Sequence, residues 1–332
     1  MPPLIRLGVN ANFAKYVYGP HRTLEVVRSE LDLYDVEMVA DNDFGPTFFL
    51  SEPEEFRKHH RSVAKTAGRL GVQIHNVFTV YRDGGAIGSD NPQIRESAYR
   101  VGLSIIEQAA CYGAPYAGLS FFTLNAEDAD NPGRFAQARA NAIEIWKRWM
   151  NDAARLGVPY LLVEMAAALR EECSTIADTR RLLDELIEHH RAQPENTADV
   201  ALCYDTGHGI SPEESSNEAD RDYRAWLEEF PDLTHEIHLK NTDHSFLATT
   251  HFTESDGTGS GIINPREVFE AVRDIVTAET VYFYLEIPGK RGRQSGEQEA
   301  LRQHRESLAH LTNALRQVGY QQDSDSKAWS AS

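Results

Sequence analysis

From Ile5 to Val318 the chain alternates short apolar runs with longer stretches in which apolar residues recur every three or four positions. The runs are rich in the β-branched and aromatic residues that suit a pleated surface. They predict strands at Ile5–Asn10, Asp35–Ala40, Gln73–Val80, Tyr116–Phe121, Tyr160–Met165, Val200–Asp205, His235–Lys240 and Val281–Ile287. The intervening stretches predict helices at Glu54–Leu70, Asn91–Tyr112, Arg134–Leu156, Thr175–His190, Arg221–Phe230, Pro265–Thr277 and Gln294–Val318. Leu70-Gly71-Val72, Leu156-Gly157-Val158 and the variant Tyr112-Gly113-Ala114 each end a helix and open a strand. Glycine there supplies the left-handed turn that lets the chain double back at once.

Strict alternation of strand and helix implies a parallel sheet with right-handed crossovers, and eight strands is the number that closes a barrel. The expected fold class is therefore α/β, a (β/α)8 barrel forming a single domain over residues 1–320. The rival, an open doubly wound sheet, needs a glycine-rich phosphate loop after its first strand, and Val9-Asn10-Ala11-Asn12-Phe13 offers none. The polar stretch 321–332 predicts a disordered tail.

Composition narrows the setting. A net charge of -18 sets the field of the whole molecule against a polyanion, so nucleic acid is not the expected partner. Three cysteines, Cys111, Cys173 and Cys203, with no export signal ahead of the first strand, suit a reducing compartment, and a cytoplasmic protein is expected. No apolar stretch is long enough to span a membrane. A homo-oligomer is compatible with the sequence, which does not specify one.

The candidate chemistry lies at the strand ends. Glu164, Asp205, His238 and Glu286 each stand at or near the polar end of a separate apolar run, on predicted strands five to eight. A charged side chain in that position is expensive to bury unless it is paired or bound to a metal. In a closed α/β barrel the active site is built from the C-terminal ends of the strands, so all four belong to one end. Their hard, oxygen-rich donor set suits Mn²⁺, Mg²⁺ or Co²⁺ better than a thiolate-type zinc site.

In these residues the chain resembles the xylose isomerase-like TIM-barrel superfamily, and within it the sugar epimerases similar to D-tagatose 3-epimerase. The family carries a metal-binding Glu on strand five, Asp-x-x-His on strand six, His on strand seven and Glu on strand eight. Glu164, Asp205-Thr206-Gly207-His208, His238 and Glu286 match these in order. A Gly-x-Gly-x-Ile loop before helix seven matches Gly259-Ser260-Gly261-Ile262-Ile263. The resemblance runs to about Gly319 and rests on the order and spacing of short motifs.

It implies one divalent cation, manganese first, with magnesium, cobalt or zinc as alternatives, held by Glu164, Asp205, His238 and Glu286. It further implies that Glu164 and Glu286 pass a proton to and from the carbon beside a ketose carbonyl through an enediolate, with His208 on a substrate oxygen. Paired carboxylates on either side of a substrate plane, tuned by a metal and by burial, suit that chemistry. The alternative is another metal-dependent enzyme on the same barrel, a dehydratase, decarboxylase or hydrolase, which the four ligand positions alone do not exclude. An endonuclease IV-like nuclease needs more histidines and a basic groove, which the acidic charge opposes.

Six residues after Glu164 the epimerases carry another glutamate that orients the sugar, whereas this chain has Arg170. Arginine binds planar anions such as phosphate or carboxylate through bidentate hydrogen bonds, so within the expected class of metal-dependent epimerases and isomerases of a ketose or ketose phosphate it points to a phosphorylated or acidic sugar, a tetrulose phosphate first. The alternatives are an arginine paired with Glu171 or Glu172, and Glu171 itself taking the part of the missing carboxylate. Lys240, Asp243, and the basic loop of Lys290, Arg291 and Arg293 lie near enough to strand ends to line the pocket. His75 on strand three and Asn10 on strand one are candidate substrate contacts or structural hydrogen bonders. Phe13, Phe48, Phe49, Phe121 and Phe122 are candidates for the pocket wall or the core. His59-His60 and His189-His190 read as exposed helix residues.

Overall fold

The structure, a computed structural model, describes residues 1–15, 17–40, 52–79, 83–166, 171–208, 217–242, 250–252, 261–287 and 297–331. In chain order the strands are β1 (Leu4–Asn10), β2 (Asp35–Val39), β3 (Gln73–Phe78), β4 (Tyr116–Leu119), β5 (Tyr160–Glu164), β6 (Asp199–Asp205), β7 (Thr234–Leu239), β8 (Thr280–Leu285), β9 (Tyr320–Gln322) and β10 (Trp329–Ala331). The main helices are α1 (Pro20–Ser29), α2 (Pro53–Leu70), α3 (Pro92–Tyr112), α4 (Pro132–Leu156), α5 (Ile176–Ala192), α6 (Tyr223–Glu229), α7 (Pro265–Ile275) and α8 (Glu297–Gln317). Each of the first eight strands is thus followed by its own helix, the order of a (β/α)8 barrel. The short α1, which begins at a proline and buries Leu24, Val26 and Val27, is an element the sequence pattern did not single out.

Local chemistry explains the boundaries. Helices α3, α4 and α7 open with Asn-Pro, at Asn91, Asn131 and Asn264. Each asparagine side chain accepts from a free N–H of the first turn, and each proline fills a position that needs no donor. Gly71, Gly113 and Gly157 sit at φ of 69°, 69° and 80°, the left-handed turn expected of the three helix-to-strand junctions.

The chain forms two compact units, one of Met1–Met38, Thr66–Gln73 and Leu202–Ser332, the other of Val39–Lys65 and Ile74–Ala201. In the first, parallel pairing runs from β6 to β7, β7 to β8, β8 to β1 and β1 to β2. Asp205 lies beside His238, His238 beside Tyr284, Tyr284 beside Gly8, and Asn10 beside Glu37. Side chains alternate between faces along a strand. Asp205, His238 and Lys240, Tyr284 and Glu286, Asn10 and Glu37 therefore share one face.

In the second unit β3, β4 and β5 pair in parallel, with Asn76 beside Tyr116, Gly118 beside Leu162 and Tyr116 beside Tyr160. Glu164 follows Leu162 on that same face. His75 alternates with Asn76 and so belongs to the opposite face of β3 from Asn76. Gly118 is required where it stands, because a Cβ there would lie 2.0 Å from the Phe78 ring.

Residues 321–332, expected to be a disordered tail, instead contribute to a β-hairpin. β10 pairs antiparallel with β9 and, at Trp329, with Ile5 of β1. Trp329 and Tyr320 are 2% and 1% exposed, and the Asp323 carboxylate accepts from both the N–H and the hydroxyl of Ser326, closing the turn. Two large buried rings outweigh the polar residues around them.

His304 of α8 is also buried, against Phe13 at a ring separation of 4.9 Å, with Nδ1 on the Ala300 carbonyl. Burial lowers its pKa to about 4, against a small upward pull from that carbonyl. The native ring is therefore neutral where the unfolded ring takes up a proton. Stability should fall as pH drops from the unfolded value near 6.5 to about 4, by roughly 3 kcal/mol from this residue. His304→Phe, which keeps the ring contact, should flatten that limb when urea midpoints are compared at neutral and acid pH; an unchanged pH slope would refute the assignment.

Candidate active site

Three of the four strand-end residues come together within the first unit. One ligand atom from each of Asp205, His238 and Glu286 lies within 4.8 Å of the others. All three residues are buried. Parallel register places Asp205 beside His238, and the backbone N–H of Glu286 donates to the Leu239 carbonyl at 3.0 Å. Glu164 stands at the end of β5 in the second unit, 4% exposed.

The turn after β6 fixes Asp205. Its Oδ1 accepts from the N–H groups of Gly207 and His208 at 2.7 and 3.3 Å, leaving Oδ2 to face Lys240 Nζ at 2.7 Å and His208 Nε2 at 3.4 Å. Thr206 ties this turn to β7, its hydroxyl donating to the Lys240 carbonyl and accepting from the Lys240 N–H. Gly207 gives the lysine its path, since a Cβ there would lie 2.6 Å from Lys240 Cδ.

Lys240 Nζ also meets Glu286 Oε1 at 3.1 Å, so the ammonium stands between two carboxylates. His238 Nδ1 lies 3.2 Å from Glu286 Oε2. Burial would raise the Glu286 carboxyl, but Lys240 and His238 outweigh it and hold the pKa down at about 2. Buried carboxylates and an imidazole around one held positive charge form a donor set that suits a hard divalent cation.

Two acids that the sequence pattern did not single out stand beside His238. Glu37 of β2 and Glu236 of β7 both face His238 Nε2, at 3.0 and 3.3 Å. Burial pushes the Glu37 carboxyl well above the usual carboxylate range, opposed by His238 and reinforced by Glu236. Asn10, one of the strand candidates, donates to Glu37 at 2.6 Å and so has a structural bond of its own.

Arg170, Asp243, Phe48, Phe49, Lys290, Arg291 and Arg293 lie outside the described residues. Among its neighbours, Glu171 accepts from the Thr123 hydroxyl at 2.9 Å, and buried Glu172 is held by Arg139 and Arg181 at 2.8 and 3.2 Å. Phe121 and Phe122 belong to the core of the second unit, against Trp146 and Phe135 respectively. His60, expected to be exposed, is 1% exposed and bonds Tyr112 through Nδ1 at 2.8 Å, whereas His59, His189 and His190 are half-buried. At Gly261, in the loop before α7, a Cβ would collide with the Asn241 side chain, whose Oδ1 accepts from the Ile263 N–H.

Residues 29–314 match the family described as the xylose isomerase-like TIM barrel. The chain belongs to that family, and its fold is the (β/α)8 barrel expected from the strand count. It is similar to D-erythrulose 1-phosphate 3-epimerase of Brucella abortus (strain 2308), 24% identical over 224 residues, covering 67% of this chain and 69% of that one. Among solved structures it resembles a Rhodospirillum rubrum ATCC 11170 protein with a provisional assignment as a xylose isomerase. That match has a TM-score of 0.80 and 21% identity, over 93% of this chain and 99% of the other. It also resembles D-psicose 3-epimerase of Clostridium cellulolyticum H10, with a TM-score of 0.61 and 15% identity over 93% and 99% of the two chains. No helix in the described residues is long and apolar enough to cross a membrane.

Proposed function

We propose that this protein is a divalent-metal-dependent epimerase or isomerase of a ketose or ketose phosphate, a tetrulose phosphate first, with Glu164, Asp205, His238 and Glu286 as ligands. The observation that carries the reading is the buried trio of Asp205, His238 and Glu286 with the Lys240 ammonium between two of its carboxylates. Family membership and the similarity to an erythrulose-phosphate epimerase support the substrate class. Manganese is the favoured ion.

A divalent cation bound by these residues supplies electrophilic stabilisation to negative charge on the oxygens flanking the reacting carbon. The residues do the rest. The Glu286 carboxylate takes the proton from the carbon beside the carbonyl, and Glu164, on another strand and starting as the protonated acid, returns one from the opposite side of the substrate plane; proton exchange with water then resets the pair. His208 and Lys240, both beside Asp205, donate to substrate oxygens, which fixes the register of the sugar. Arg170 takes the phosphate.

The test is a panel of tetrulose, pentulose and hexulose sugars, free and phosphorylated, assayed with Mn²⁺ and read by NMR. A phosphorylated tetrulose should be turned over best. Arg170→Ala should reduce kcat/KM for it by about tenfold to over a hundredfold, the worth of a charge-assisted hydrogen bond, and leave the free sugar nearly unaffected. Equal loss on both would make Arg170 structural, and a preference of wild type for free ketoses would point to a free-sugar 3-epimerase.

A further inference from the structure

Both ring nitrogens of His238 face carboxylates, and the two sides differ. Nδ1 faces Glu286 at 3.2 Å. Nε2 faces both oxygens of Glu37, at 3.0 and 3.2 Å, and one oxygen of Glu236 at 3.3 Å. Glu37 is held from behind. The β1–β2 register sets it beside Asn10, whose Nδ2 donates to Glu37 Oε2 at 2.6 Å while its Oδ1 accepts from the Asn12 N–H at 2.8 Å. Asn10, Glu37 and His238 are 1%, 0% and 0% exposed, so this is a built, water-excluded line of contacts.

A carboxyl group buried in a strand, whether ionised or neutral, carries a desolvation cost that an apolar side chain of similar size avoids. Packing therefore does not account for Glu37, but orienting the imidazole does. A neutral imidazole has one N–H and one lone pair, and the hydrogen bond made by one nitrogen decides what the other can do.

We propose that Glu37, fixed by Asn10, is a positioning residue: it accepts the Nε2 proton of His238, locks the ring, and leaves the Nδ1 lone pair directed to the side of Glu286, where the cation binds. Glu236, at 3.3 Å, is the longer contact. The inference rests on the reading of His238 as a metal ligand. A carboxylate behind a ligating histidine raises its basicity and fixes its orientation, and loss of such a partner costs about 10- to 100-fold in metal affinity.

The experiment measures Mn²⁺ affinity by the EPR signal of the free ion in wild type, Glu37→Gln and Asn10→Ala. It also reads the ¹⁵N shifts of His238 in Zn²⁺-loaded wild-type protein. Expected are an affinity about 10- to 100-fold weaker in Glu37→Gln, with thermal stability in chelator retained, and a smaller weakening in Asn10→Ala, which keeps the carboxylate. The ¹⁵N spectrum should show a protonated Nε2 and a metal-bound Nδ1. Wild-type affinity in a folded Glu37→Gln overturns the proposal. A metal-bound Nε2 in wild type also overturns it, whether or not the variants fold. Wild-type protein that binds no Mn²⁺, or His238→Ala that binds it as wild type does, removes the reading of the site and the proposal with it.

Discussion

Glu286→Gln is expected to lose at least about two orders of magnitude in turnover, the usual contribution of a general base, and Glu164→Gln to lose as much. An amide keeps the shape and an oxygen donor but can neither accept the substrate proton at position 286 nor return one at position 164, so the loss should fall on kcat while Mn²⁺ still binds. Wild-type product formed in D₂O should carry deuterium at the reacting carbon. Full activity in either variant, or product free of solvent deuterium, would exclude transfer between two carboxylates.

Lys240→Met should produce the largest change in stability. The substitution leaves Asp205 and Glu286 facing each other in a buried site without the ammonium that now lies 2.7 and 3.1 Å from them. Removing one partner of a buried ion pair costs about 3–5 kcal/mol. In chelator the urea midpoint should drop accordingly. A divalent cation replaces the missing charge, so adding Mn²⁺ should stabilise Lys240→Met more than it stabilises wild type. Equal gains in the two proteins would show that lysine and cation do not share these carboxylates.

Much of the framework was legible because it is governed by local rules. The eight apolar runs became β1–β8, and the glycines after α2, α3 and α4 took the left-handed turn that those junctions need. Asp205, His238 and Glu286 stood out because a charge at the end of an apolar run is conspicuous in one dimension. Glu37 and Glu236 did not. A polar residue alternating with apolar ones, as in Asp35-Val36-Glu37-Met38-Val39, reads as a half-exposed strand, yet every residue of β2 is buried.

Which face His75 takes was not legible, because it depends on the parity of its strand, which the pairing with β4 fixes. His60 was misread because its helix has a mixed surface, and burial against Tyr112 depends on a neighbour 52 residues away. Trp329 was overlooked because one aromatic residue in a polar segment carries no periodicity.

The pairing of Trp329 with Ile5 also bears on the order of assembly during synthesis. The first unit takes its strands from both ends of the sequence, while the second uses a nearly continuous stretch, Val39–Lys65 and Ile74–Ala201. Chains emerge N-terminus first and local contacts close faster than distant ones. The second unit therefore has all its residues available while the ribosome is still working. β1 precedes β8 and β10 in the chain and pairs with both, so until they have been made it presents an open strand edge that a chaperone can hold and another nascent chain can join.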